Sequence, residues 1–173
     1  MKENILICVS NPNHAEILTQ RGKKLKEAFQ GDGYILSVEN RKHEELNFNE
    51  LQTKYLFESL ADKYGLKMLS KYAEGKKIAR VIADVVKEHN ITQIILGQAV
   101  QTKLERMVKH SLINDLFQLL EGVDIHVVEV SRKVHDPSDD WDKGLPAMIV
   151  KKGSEYHLII GEDHENGVKC IFF

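Results

Sequence analysis

Hydrophobic and polar positions alternate in a regular order from residue 4 to residue 131. Five short, nearly continuous apolar segments occur at residues 4–10, 31–40, 66–73, 91–97 and 123–131. Between them lie four longer segments with a helical spacing of apolar positions, at 14–30, 48–65, 74–90 and 106–122. Strands that are apolar along their whole length are typical of sheets covered on both faces. The pattern therefore predicts a βαβαβαβαβ order and a doubly wound, five-stranded parallel α/β sheet.

The helical segments carry signals for their ends and for their buried sides. We expect Asn13 to cap the first helix and Gly65 to end the second. The apolar stripes that should face the sheet are Ile17, Leu18, Leu25 and Phe29 in the first helix, Leu51, Tyr55, Phe57 and Leu60 in the second, and Ile78, Ile82, Val85 and Val86 in the third. Each helix is thus predicted to pack one side on the sheet and to leave the other side in solvent.

The chain changes character after the fifth apolar segment. Residues 132–145 form a polar, proline-punctuated connector, and residues 146–173 contain three short strand patterns separated by Gly153 and by Asn166-Gly167. Asn-Gly between two apolar runs is a strong signal for a two-residue hairpin. We therefore expect an α/β domain at 1–131, followed by a small C-terminal β-meander. Three short strands are not stable alone, so this appendage should pack on the domain or on a partner subunit.

Composition and charge argue against several classes of function. The 24 basic and 26 acidic residues give a formal net charge of −2, which does not suit a nucleic acid or membrane partner. Cys8 and Cys170 stand far apart, and the histidines show no metal-binding spacing, so neither a disulfide framework nor a metal site is expected. No nucleophile elbow or paired carboxylate motif indicates an enzyme. The lack of a secretory signal and of a long apolar run predicts a cytoplasmic location.

Candidate chemistry collects where the parallel strands are expected to end. Ligands of open α/β sheets bind at the carboxyl ends of the strands, where the strand order reverses. Gly97 should end the fourth strand and allow a ligand close to the backbone, and Thr102 offers a hydroxyl in the loop. His110 and Ser111 lie near the start of the fourth helix, where free N–H groups favour phosphate. Because glycines also commonly end strands and serines commonly cap helices, these residues alone leave both interpretations open.

Residues 4–131 resemble a universal stress protein (UspA-like) domain, a Rossmann-like fold of the adenine nucleotide alpha-hydrolase type. Nucleotide-binding members of that family carry G-x2-G-x9-G-[ST] between the fourth strand and the fourth helix. In this chain Gly97 matches the first glycine and Ser111 the hydroxyl, whereas Val100 and His110 replace the other two glycines. Ser10 stands where such members have an Asp that holds the ribose, so only a weaker, neutral hydrogen bond is available there.

Within this family the chain is most similar to the universal stress domain of the potassium sensor histidine kinase KdpD. The shared features are "CVS" at the end of the first strand, "VE" at the end of the second, and a G-x4-[ST]-x8-S-L pattern formed by Gly97, Thr102, Ser111 and Leu112. Some such domains bind cyclic di-AMP, and the corresponding segments here contain Ser10, Asn11, Tyr34 and Val38. The 173 residues contain no H-box or ATP-lid pattern of the kinase, so we expect a free-standing, sensor-like domain.

The resemblance implies a cytoplasmic sensor or signalling domain that binds ATP, AMP or cyclic di-AMP and regulates a protein partner. The implied nucleotide-binding residues are Val9, Ser10, Asn11, Val38, Leu96, Gly97, Thr102, His110 and Ser111. It also implies a homodimer paired through the apolar edge of the fifth strand. One alternative is a nucleotide-free dimeric scaffold, in which Val100 and His110 fill the phosphate space. Another is a slow nucleotide hydrolase, in which Ser10 or His110 positions a water molecule.

Overall fold

A computed structural model describes residues 2–99, 112–130, 145–153, 155–160 and 167–172. The regular elements are β1 (Ile5–Val9), α1 (Pro12–Phe29), β2 (Gly33–Glu39), a short 3-10 helix (His43–Glu45), α2 (Phe48–Tyr64), β3 (Lys67–Tyr72), α3 (Ile78–Glu88), β4 (Gln93–Ala99), α4 (residues 112–119), β5 (Asp124–Val130), β6 (Leu145–Lys152), β7 (Glu155–Ile160) and β8 (Gly167–Phe172). The predicted alternation of strands and helices is therefore present.

The first five strands form one parallel sheet in the order β3-β2-β1-β4-β5. The central strand β1 pairs on both sides, so that Leu6 lies opposite Tyr34 of β2 and opposite Ile94 of β4. The chain adds strands on one side of β1 as far as β3 and then crosses to the other side to form β4. This arrangement confirms the predicted doubly wound sheet and places the reversal of strand order between β1 and β4.

The sheet is covered on both faces by apolar side chains from the helices. On one face, Leu18 of α1 and Phe57 of α2 pack with Ile7 of the central strand. On the other face, Ile82 of α3 and Leu116 of α4 belong to the second core. Alternate residues of each strand point to opposite faces, so a strand between two helical layers must be apolar at every position. This requirement explains the continuous apolar segments in the sequence.

Two details of the predicted helices are wrong. Asn11, and not Asn13, caps α1: its side-chain oxygen accepts a hydrogen bond of 2.9 Å from the backbone N–H of Asn13. The cap moves upstream because Pro12, which has no N–H to lose, begins the helix. Ile17 and Ile78 are 44% and 43% exposed, so both lie outside the buried stripes of their helices. Gly65 does end α2, in a left-handed conformation with φ of 63°.

The three C-terminal strands form an antiparallel sheet, but its order is β7-β6-β8 and the predicted meander is wrong. Gly153, at φ 66°, lies between β6 and β7, which form the expected hairpin. Gly167 is not a turn residue, since it begins β8 and pairs with Val150 of β6. The longest strand takes the centre because it is the most buried: Leu145, Ala147, Met148 and Val150 are at most 5% exposed.

The chain divides into two compact units. One contains residues up to Leu46 and from Leu56 to Lys133, which include the parallel sheet. The other contains Asn47–Tyr55, the first half of α2, together with the C-terminal strands. Within this second unit the ring of Phe48 meets the ring of Phe172 edge to face, with centroids 5.7 Å apart. Asn47 and Glu50 form a reciprocal capping box at the start of α2, with hydrogen bonds of 2.8 and 3.0 Å.

Candidate functional site

The candidate site lies at the carboxyl edge of the parallel sheet, beside the central strand. Cys8 of β1 is in register with Leu96 of β4, and Val9 is in register with Ser37 of β2. The residues that follow these positions on the three strands therefore reach the same edge. Among the predicted site residues, Val9, Ser10, Asn11, Val38, Leu96 and Gly97 fall in the described part of the chain and lie on these strands or directly after them. Thr102, His110 and Ser111, and also Val100, lie outside the described residues.

Ser10 and Asn11 form the short connection between β1 and α1. Both residues are exposed. The side-chain oxygen of Asn11 is used to cap α1, which leaves its amide nitrogen as a donor. The first turn of α1 contains no acidic residue, so no carboxylate there opposes a negatively charged ligand. The connection thus offers a hydroxyl group, an amide group and the positive end of a helix dipole.

The sequence pattern predicted that Gly97 ends β4, but the residue lies inside this strand. The strand continues to Ala99, and Gly97 is in register with Val128 of β5. A Cβ atom at this position would lie 2.9 Å from Cδ1 of Leu18 on α1. The lack of a side chain therefore fits the close packing of α1 on the sheet, whether or not a ligand approaches the backbone.

Val38 and Leu96 contribute apolar surface near this edge. Leu96 is 6% exposed and belongs to the second core, against which the half-buried Val38 also packs. Cys8 lies in the same region, and burial raises the pKa of its thiol to about 12. The strand ends at the site are therefore largely apolar, and Ser37 and Glu39 of β2 add polar groups to those of the β1–α1 connection.

Tyr34 belongs to a segment that corresponds to the cyclic di-AMP site of similar domains. In the structure it lies near the amino ends of the parallel strands, at the end of the sheet opposite the candidate site. It is the second residue of β2, in register with Leu6, and is 7% exposed. Its ring lies 4.8 Å from the ring of His89, which caps the carboxyl end of α3. Four residues of strand separate Tyr34 from Val38, a span of about 13 Å. Tyr34 is therefore a core residue near the amino ends of the strands, away from the carboxyl edge where the candidate site lies.

The described residues 2–99, 112–130, 145–153, 155–160 and 167–172 hold neither a metal-binding cluster nor a membrane-crossing helix. Nowhere in those ranges do three or more His, Cys, Asp or Glu side chains gather in a way that could hold a metal ion. His126 instead lies with its Nε2 atom 3.0 Å from Oε1 of the buried Gln93, an ordinary structural contact. The described helices also include none with the length and apolarity needed to cross a membrane.

Sequence patterns missed one group of polar residues, at the start of α3. Lys76, Lys77 and Arg80 line an open cleft of about 350 Å³ together with Asp115 of α4. The available signal was a pair of lysines followed by an arginine at a helix start that has no capping side chain.

Solved structures of universal stress proteins share this fold. One from Archaeoglobus fulgidus superimposes with a TM-score of 0.55 at 14% identity, covering 73% of this chain and 98% of that chain. A universal stress protein in complex with cAMP gives 0.54 at 10% identity, covering 74% and 97%. An Archaeoglobus fulgidus protein in complex with dAMP gives 0.50 at 14% identity, covering 72% and 96%. The parallel-sheet unit thus has the universal stress protein fold, and the UspA-like resemblance predicted from the sequence is confirmed.

A sequence relative connects the same region with a sensor protein. The chain is 26% identical over 129 residues to a protein of Synechocystis sp. (strain ATCC 27184 / PCC 6803 / Kazusa) that carries the name sensor protein KdpD. The match covers 73% of this chain but spans only 33% of that protein, about one third of its length. No protein-family model matches the chain.

Proposed function

We propose that this protein is a cytoplasmic sensor domain of the universal stress type, which binds an adenine nucleotide and regulates a protein partner. The observation that carries the proposal is the reversal of strand order between β1 and β4, with Ser10 and Asn11 directly after β1. Open α/β sheets bind ligands at this place. Two structural neighbours, in complex with cAMP and with dAMP, support an adenine nucleotide as the ligand.

Each proposed site residue has a role that follows from its chemistry. The Ser10 hydroxyl and the Asn11 amide hydrogen-bond the ribose, and the backbone of Val38 meets the adenine. Val9 and Leu96 form the apolar floor, and the backbone at Gly97 approaches the phosphates. Thr102, His110 and Ser111 complete the phosphate site in this proposal. The ligand is ATP, AMP or cyclic di-AMP, and no metal ion or catalytic residue is assigned.

The regulatory part of the proposal concerns the surface offered to a partner. The similarity to a KdpD sensor supports a role in signalling, although the chain spans only about a third of that protein. β5 is an edge strand of the parallel sheet, and its Val127 is 44% exposed. An exposed apolar edge strand is a site for strand pairing, so we propose a homodimer formed through β5. Bound nucleotide would change the affinity of this dimer for its partner protein.

A nucleotide-free dimeric scaffold is the second candidate. This candidate is favoured because two of the proposed site residues already have a structural role that needs no ligand. Gly97 is explained by its close contact with Leu18, and the Asn11 oxygen caps α1. If Val100 and His110 also fill the phosphate space, the edge of the sheet needs no ligand. Slow nucleotide hydrolysis is a third reading, which a phosphate-release assay with a Ser111→Ala control checks directly.

The test is a thermal-unfolding screen of the purified protein with ATP, ADP, AMP and cyclic di-AMP, with and without magnesium. A nucleotide that binds only the folded state stabilises it by about 2.7 kcal/mol at a hundredfold excess over Kd. Ser10→Asp sharpens the test, because a carboxylate makes a charge-assisted hydrogen bond to a ribose hydroxyl. We expect this variant to bind the nucleotide about five- to tenfold more tightly.

Asn13→Asp is the matched control, since it adds the same charge to the first turn of α1 on an exposed side chain. It should leave the affinity for the nucleotide within about twofold of the parent. Unchanged melting curves for all four nucleotides, in both the parent and Ser10→Asp, would reject the binding proposal. If that protein were folded and dimeric, the scaffold would become the preferred function.

A further inference from the structure

An open cleft of about 350 Å³ lies between the start of α3 and α4. Its cationic side chains are Lys76, Lys77 and Arg80, and α4 contributes Asp115 and Gln118. Ala79 and Leu119 form its apolar part. None of the described candidate nucleotide residues lines it. The volume lies at the lower end of the range for small-molecule sites.

The charges in this cleft are unbalanced. Lys77 Nζ lies 3.4 Å from Oδ2 of Asp115, and Lys76 Nζ lies 3.7 Å from Oδ2 of Asp84, which is outside the cleft. Arg80 has no ion pair with any described residue, although it is exposed and lines the cleft. Three cations therefore face one carboxylate, in a chain whose formal net charge is −2. Such a local positive excess attracts anions.

The local sequence is also unfavourable for the helix itself. Lys77 occupies the cap position of α3 without a side-chain hydrogen bond to the helix, and no acidic residue lies in the first turn. The positive end of the helix dipole disfavours cations, and although the backbone N–H of Arg80 donates to the carbonyl of Lys77 at 2.9 Å, the N–H groups of Ile78 and Ala79 have no acceptor within the helix. A sequence shaped for stability alone would place Ser, Asp or Asn there. An anion in the cleft would meet both the cations and these N–H groups.

We propose that this α3–α4 cleft is a second binding site, which takes a phosphorylated small molecule that also carries hydroxyl groups. Arg80 binds the phosphate, because no described carboxylate pairs with its guanidinium group, and Lys76, whose ion pair with Asp84 lies outside the cleft, adds a second positive charge. Asp115 and Gln118 accept hydrogen bonds from hydroxyl groups of the ligand. Ala79 and Leu119 contact its apolar part. The proposal does not depend on the nucleotide site at the carboxyl ends of β1 and β4.

The test is a titration of the isotope-labelled protein with inorganic phosphate, followed by amide NMR shifts at constant ionic strength against sodium chloride. We expect saturable shifts at the amides of residues 77–80 with a Kd of about 1 mM, a strength typical of a small anion. Arg80→Gln should weaken this affinity about tenfold, because it removes a charge-assisted hydrogen-bond donor. It should not lower the melting temperature, since it removes a cation from the start of a helix.

Lys87→Gln is the matched control, because it removes one exposed cation from the other end of the same helix. Its affinity for phosphate should equal that of the parent. Shifts that never saturate, or that weaken equally in Arg80→Gln and Lys87→Gln, would overturn the proposal and leave nonspecific screening as the cause. Shifts at residues 77–80 report this cleft and shifts at residues 9–11 report the nucleotide site, so a failure here is distinguishable from a failure of the nucleotide proposal.

Discussion

Gly97 of β4 and Leu18 of α1 are in such close contact that a Cβ atom on the glycine would lie 2.9 Å from Cδ1 of the leucine. Leu18 is 3% exposed and belongs to the core between α1 and the parallel sheet. A side chain on β4 at this position would therefore have to displace the end of the Leu18 side chain. The glycine that appeared to be a ligand contact in the sequence is first of all a packing residue.

Substitutions at Gly97 should separate packing from ligand binding. The atom in the way is the far end of a leucine side chain, so Gly97→Ala should change the free energy of unfolding by less than about 1 kcal/mol. Gly97→Val adds two further carbons and should cost about 1–3 kcal/mol through overpacking. Urea unfolding measures both values.

Leu18→Ala provides the control for this relationship. In the Gly97→Val background it should restore part of the lost stability, whereas alone it leaves a cavity and should cost about 2–5 kcal/mol. Strict additivity of the two changes would contradict the proposed contact. Loss of nucleotide binding in Gly97→Ala at unchanged stability would show that the backbone at this position also meets a ligand.

The parallel fold was predictable because its strands and helices each require a characteristic spacing of apolar residues. Strands covered on both faces are apolar along most of their length, as β1 is at every position, and the apolar positions of their crossover helices repeat every 3.6 residues. Those two patterns distinguish strands from helices without any knowledge of contacts. The same reasoning could not detect that Ile17 and Ile78 are exposed, because the edge of a helix stripe depends on what packs beside it.

Features that depend on contacts between residues far apart in the sequence were not predictable. Asn-Gly at residues 166 and 167 is a hairpin signal, which predicts that β8 pairs with β7. Instead, β8 pairs with the free edge of β6, the most buried of the three strands. Gly97 was predicted to end β4 because a glycine after an apolar run is a common strand end. Its contact with Leu18 could not be predicted, because the two residues are far apart in the chain. For the candidate site, the sequence predicted which strand ends come together at the carboxyl edge of the sheet, but it could not show that Tyr34 lies near the amino ends of the strands.

The cap of α1 gives a second prediction, which distinguishes two neighbouring asparagines. Asn11→Ala should destabilise the protein by about 1 kcal/mol, because the backbone N–H of Asn13 loses its acceptor. Asn13→Ala keeps that N–H and should stay within about 0.5 kcal/mol of the parent. Chemical unfolding of both variants checks the difference, and equal losses would contradict the assigned cap. Asn11→Ser, which keeps a capping oxygen, isolates the amide nitrogen for nucleotide-binding tests.

The thiol of Cys8 should be unreactive in the folded protein. Burial raises its pKa from the ordinary value of 9.0 to about 12, so at pH 8 only about one thiol in ten thousand is ionised, against about one in ten after unfolding. Alkylation by iodoacetamide should therefore be about a thousandfold slower in the folded state. Because the folded pKa is the higher one, this group lowers stability only as the pH rises from about 9 towards 12.

Mass spectrometry of a Cys170→Ala variant follows the alkylation of Cys8 alone, with and without urea. A Cys8→Ala variant gives the corresponding rate for Cys170, which is also half-buried. Similar rates for Cys8 in native buffer and in urea would show that the end of β1 is open to solvent. That result would also count against the proposed apolar floor, because Val9 of that floor directly follows Cys8 in β1.

The ring pair of Phe48 and Phe172 gives the last prediction, on the anchoring of the C-terminal sheet. Their edge-to-face contact, with centroids 5.7 Å apart, joins β8 to the first turn of α2. Phe48→Leu and Phe172→Leu keep apolar surface but remove the ring geometry, so a double-mutant cycle should give a coupling of about 0.5–1.5 kcal/mol in urea unfolding. Tyr156 of β7 is 70% exposed, and Tyr156→Leu should combine additively with Phe48→Leu. If the coupling of Phe48→Leu with Tyr156→Leu were as large as that with Phe172→Leu, it would indicate a general change in the sheet. If Phe48→Leu and Phe172→Leu showed no coupling, other contacts would hold β8 against residues 47–55.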